Sequence, residues 1–74
     1  MKKQKSVSYK PLWKLLIDLN ISQKELISEA GIGKSTFYKL KNDKNVTTDS
    51  LIKICEALDC NISDIMTCED EREN

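Results

Sequence analysis

Apolar residues along this chain recur at intervals of three and four, and no β-branched run alternates with period two. That spacing predicts helices. Leu12, Leu15, Leu16 and Leu19 make one apolar face, with Trp13 at its edge. Pro11 suits the first turn of this helix, where a missing N–H costs nothing, and Asn20 can end it in a left-handed conformation. Ser22 followed three residues later by Glu25 predicts a capping box for a second helix, with Ile21 and Leu26 as a hydrophobic staple. Leu26, Ile27 and Ala30 face inward, and Gly31 supplies the positive φ that stops this helix.

A third helix reads KSTFYKLKN, with Phe37 and Leu40 toward the core and Lys34, Ser35, Thr36, Tyr38, Lys39 and Lys41 largely outward. The polar segment Asn42, Asp43, Lys44 and Asn45 forms a loop. Thr47 caps a fourth helix, stapled by Val46 and Leu51, whose wide apolar face carries Leu51, Ile52, Ile54, Cys55 and Leu58. Asn61 and Asp64 cap a short fifth helix containing Ile62, Ile65 and Met66. Both ends lack a period: residues 1–8 read as a flexible basic arm, 9–67 as one folded domain, and 68–74 as a disordered acidic tail.

Composition sharpens the picture in three places. At 74 residues the core is small, so pairing with a second copy would help the fold. The net charge of zero hides an asymmetry. Residues 1–44 carry ten lysines against four acids, and residues 45–74 carry one lysine and one arginine against eight acids. A basic half suits a phosphate partner, although solvated charges cluster by chance in short chains. Third, Cys55, Cys60 and Cys68 are odd in number and irregularly spaced, and histidine is absent. That argues against zinc and against a disulfide scaffold, and for reduced cysteines in a cytoplasmic protein. No apolar run approaches the roughly 18 residues a membrane span needs, and no signal peptide is expected.

The second and third helices meet across Ala30-Gly31-Ile32-Gly33. Leu26, Ala30, Ile32, Phe37 and Leu40 converge on one small core, the pattern of a helix-turn-helix. The run SQKELISEAGIGKSTFYKLKN resembles the helix-turn-helix of the Xre family, the Cro/repressor-type regulators of phages and bacteria. YKPLWKLLID resembles the family's first helix in a compact subgroup, and TTDSLIKICEALDCNISDIM its fourth and fifth, so the likeness spans residues 9–66.

The resemblance implies an all-α, compact five-helix, lambda-repressor-like bundle that binds double-stranded DNA. By position it implies that Lys34, Ser35, Thr36, Tyr38 and Lys39 face base edges in the major groove. It likewise implies that Gln23, Lys41, Asn42 and Asn45 contact backbone phosphate. The chemistry agrees: lysine donates to guanine N7/O6 or to phosphate, and hydroxyls donate or accept. Two positions depart from the family pattern. Ile27 stands where a small residue is usual and would either widen the crossing of the second and third helices or shift the third. Lys34 stands where glutamine is frequent and gives up bidentate readout of adenine.

Blander roles stand beside these. Ser35 and Thr36 can merely start a helix. Tyr38 divides evenly between DNA and the protein surface, and the N-terminal lysines between a solubilising tail and a DNA-wrapping arm. Trp13 reads as core or dimer interface. The expected function is a sequence-specific transcriptional regulator, a repressor, acting as a homodimer whose surface is the apolar edge near Ile65 and Met66. The alternative is a protein-interaction module on the same fold, using the acidic C-terminal half. No enzyme is expected, since no nucleophile–base pair or phosphate-cradling glycine loop is present, and no cofactor, metal or small-molecule effector.

Overall fold

A computed structural model describes residues 4–71. The chain runs β1 (Gln4–Ser8), α1 (Lys10–Leu19), α2 (Gln23–Ala30), α3 (Lys34–Lys41), α4 (Thr48–Leu58), a single 3-10 turn (Ile62–Asp64) and β2 (Thr67–Glu71). The helix boundaries follow local chemistry. Asn20 takes a left-handed conformation at the end of α1 (φ 58°, ψ 44°). At α2 both halves of the capping box form: the Glu25 amide donates to Ser22 Oγ at 3.0 Å and the Ser22 amide to Glu25 Oε1 at 2.8 Å. Thr47 Oγ1 accepts from the Ser50 amide at 3.2 Å and opens α4.

Three expectations need correction. The fifth helix is one 3-10 turn, closed by the Asn61 amide donating to Asp64 Oδ2 at 3.0 Å. It goes no further because Ile65 swings fully into the core and Thr67 enters a strand. The described residues therefore hold four α-helices, with Ile65 unavailable as a dimer edge.

Second, the expected arm and tail pair with each other in the described residues. β1 and β2 form an antiparallel ribbon in the register Lys5↔Asp70, Ser6↔Glu69, Val7↔Cys68, Ser8↔Thr67. Opposite charges accompany that register: Lys5 Nζ lies 2.6 Å from Asp70 Oδ1, and Lys10 Nζ of α1 lies 3.6 Å from Glu69 Oε2. The Lys5 ammonium titrates above its ordinary value because Asp70 accepts its hydrogen bond. Val7 packs the ribbon against the core. Residues 1–3 of the arm and 72–74 of the tail lie outside the described residues.

Third, two helix faces are narrower than their sequences imply. Leu12 and Leu16 are buried and Leu15 half-buried, but Leu19 is exposed, as is Ile17. On α4, Leu51, Ile54 and Leu58 are buried while Ile52 is exposed. The core joins these residues to Tyr9, Leu26, Ala30, Ile32, Phe37, Leu40 and Ile65. Ile27 is half-buried against it. Full burial of each large aliphatic side chain is worth about 1.5–3 kcal/mol. Among the described residues, no helix is long and apolar enough to cross a membrane.

Cys55 and Cys60 are half-buried beside α4's C-terminus, and Cys60's amide donates to the Cys55 carbonyl at 3.0 Å. Burial, then Cys55, Asp64 and Asp59, push the Cys60 thiol from an ordinary value of 9.0 to about 11. The folded state thus holds this proton more tightly than the unfolded chain. Its contribution is complete below the unfolded value and is lost as pH climbs toward the folded one. The urea midpoint is expected to fall between about pH 9 and 11. Cys60→Ser should flatten part of that fall; an unchanged slope would show that Cys60 does not drive it.

Candidate nucleic-acid interface

The helix-turn-helix is built by a reversal that leaves little freedom. Gly31 ends α2 at φ 67°, ψ 33°, and its amide and that of Ile32 both donate to the Ile27 carbonyl, at 3.0 and 3.3 Å. A Cβ at Gly31 would meet nothing within 4 Å, so the left-handed conformation is what favours glycine there. Ala30 is the last residue of α2, so the connection is the three residues Gly31–Gly33, one fewer than the spacing implied. Buried Ile32 plugs the turn into the core.

Phe37 and Leu40, three apart on α3, are buried and turn the rest of the helix outward. Trp13 of α1 meets Phe37 edge to face, with centroids 5.8 Å apart and planes at 81°. It is half-buried, which favours its reading as core. Lys34, Ser35, Tyr38, Lys39 and Lys41 are exposed; Thr36 is half-buried. Tyr38 is 63% exposed and so is not packed into the core. Lys41 Nζ lies 6.0 Å from the Phe37 ring centroid. With Lys39 it places two cations in the last turn of α3, where the helix dipole favours them. Gly33 precedes α3 in an extended conformation and offers no side-chain cap.

Gln23 is exposed at the first position of α2. Asn42 and Asn45 are exposed in the loop after α3. The Asn42 side-chain amide donates to the Tyr38 carbonyl at 2.8 Å, so part of its hydrogen-bonding capacity already caps α3. Four exposed lysines, Lys34, Lys39, Lys41 and Lys44, thus share one segment with a single carboxylate, Asp43. Among the described residues, no group of three or more His, Cys, Asp or Glu side chains is placed to hold a metal ion.

Two residues here had no sequence signal. Tyr9, which opens the run YKPLWKLLID that resembles the family's first helix, is 1% exposed. Its amide donates to Asp43 Oδ1 at 3.0 Å and its hydroxyl to the Lys44 carbonyl at 2.9 Å. Asp43 itself adopts a left-handed φ of 54°. A partner 34 residues away leaves no trace in local periodicity.

A short helix anchored by two core side chains, reversed from its predecessor by a left-handed glycine, defines a helix-turn-helix. Residues 11–71 match the Cro/C1-type HTH DNA-binding domain, and the chain belongs to that family. Over nearly its whole length it is also similar to a solved structure, the crystal structure of transcriptional regulator VanUg, Form II. The two are 42% identical, the match covers 96% of this chain and 93% of that one, and the TM-score is 0.88. No curated protein matches the chain.

Proposed function

We propose that this chain is a sequence-specific, double-stranded DNA-binding regulator of transcription, acting as a cytoplasmic repressor. In this reading α3 enters the major groove, with Lys34, Ser35, Thr36, Tyr38 and Lys39 toward base edges. Gln23, Lys41, Asn42 and Asn45 grip the phosphates on either side, Asn42 through the amide hydrogen not spent on Tyr38. Two copies bind a palindromic site with their recognition helices about 34 Å apart.

The observation that carries the reading is the outward face of α3, where lysines and hydroxyls project from a helix held by Phe37 and Leu40. Family membership and the likeness to a transcriptional regulator support it. The protein-interaction alternative, which relies on the acidic C-terminal half, has two of that half's eight acids already paired. Glu69 and Asp70 there are engaged by Lys10 and Lys5.

Selection from random duplex DNA at about 0.15 M salt tests the proposal. An enriched, two-fold symmetric sequence is expected, bound with an affinity that falls steeply as salt rises. Absence of any enriched duplex, with salt-insensitive retention, would overturn it.

A further inference from the structure

We infer that Tyr9 and Asp43 are positioning residues for DNA binding, forming a latch that sets the loop after α3 for its phosphate contacts. The inference deepens the function proposed above and rests on it. The loop is short, exposed, and carries or adjoins Lys41, Asn42 and Asn45. Left to itself, such a segment would lose conformational freedom each time it closed on a phosphate, and that loss would weaken binding.

Tyr9 removes much of the freedom beforehand. Its ring is rooted in the core where β1 gives way to α1, and it grips the loop at two successive residues, the Asp43 carboxylate and the Lys44 carbonyl. The Lys44 amide closes the loop from the other side by donating to the Lys39 carbonyl at 2.8 Å. The terminal ribbon, α1 and the recognition segment are thereby joined at one buried phenol.

The latch has a second consequence. Asp43 is the one carboxylate between residues 34 and 45, and an unrestrained aspartate there would repel the DNA backbone. Bonding to the Tyr9 amide directs its charge toward the positive N-terminal end of α1. Burial of the Tyr9 phenol and the nearby Asp43 both raise its titration above the usual tyrosine value, so the hydroxyl remains a donor throughout the neutral range.

The test uses the full chain and two duplexes, the sequence enriched by selection and an unrelated one. Tyr9→Phe keeps the buried ring and removes only the bond to Lys44. It is expected to weaken both duplexes alike, by about three- to tenfold, and to leave base preference unchanged. The slope of log affinity against log salt should shrink by about one phosphate contact. Asp43→Asn keeps an acceptor oxygen and tolerates the left-handed backbone, and is expected to preserve binding. Asp43→Ala loses the bond and strains the turn, and should behave like Tyr9→Phe or worse.

Affinities are read at a temperature where urea titration finds every variant folded. If wild-type protein binds and Tyr9→Phe matches its affinity and salt slope, the latch serves folding alone and the inference is overturned. If wild-type protein binds neither duplex, the proposed function falls first and takes this inference with it.

Discussion

Replacing Leu40 with alanine is expected to destabilise the fold by about 3 kcal/mol, within the usual range for deleting a buried leucine side chain. Leu40 is fully buried, and it is one of only two core anchors on α3. A single core in a chain of this size rarely supplies more than about 3–5 kcal/mol of net stability. The loss of one anchor therefore consumes most of the margin, leaving about 0–2 kcal/mol, and Leu40→Ala should melt roughly 12–24 °C below the parent by circular dichroism. Ile17→Ala is the control, since Ile17 is 77% exposed. Its unfolding free energy from urea titration should stay within about 0.5 kcal/mol of the parent. A Leu40→Ala protein that keeps the parent midpoint would mean that α3 is not seated as described, and its outward face would then be a different one.

The contrast between these two residues also shows what a sequence of this kind reveals. Helix starts and stops were legible because their causes lie within four residues of their effects. The Ser22–Glu25 box, the Thr47 cap and the left-handed Asn20 and Gly31 each act on neighbours in the chain. The division of α3 into buried Phe37 and Leu40 and an outward remainder follows from their spacing alone. Ile17 and Ile52 were harder, because apolar residues at the margin of a helix face acquire their burial from whichever element packs beside them.

The terminal ribbon was not legible, for a related reason. Its strands hold few apolar residues, and its charge pairs join positions 65 residues apart, Lys5 with Asp70. Local pattern reads Gln4–Ser8 and Thr67–Glu71 as solvated ends; only the folded core brings them together. The same distance concealed Tyr9. Its role is set by Asp43 and Lys44, which its neighbours in sequence do not predict. In this chain the elements could be read locally, while the contacts that tie the recognition segment to the rest could not.

The double substitution Lys34→Ala, Lys39→Ala is expected to abolish preference for the selected duplex while leaving the fold intact. Both side chains are exposed, so the unfolding free energy from urea titration should move by no more than about 0.5 kcal/mol. Lysine contacts to guanine edges are each worth roughly 1–3 kcal/mol of discrimination, so losing two should cost about 30-fold or more in specific affinity. Binding to unrelated duplex should fall far less, which narrows the specificity ratio. Lys41→Ala supplies the contrast. A lysine assigned to phosphate should weaken both duplexes by the same factor and reduce the salt slope by about one. These signatures separate reading from gripping on a single short helix. If the double variant kept its preference for the selected sequence, base readout would rest on residues other than Lys34 and Lys39, and those two lysines would be solvated charges with no share in recognition.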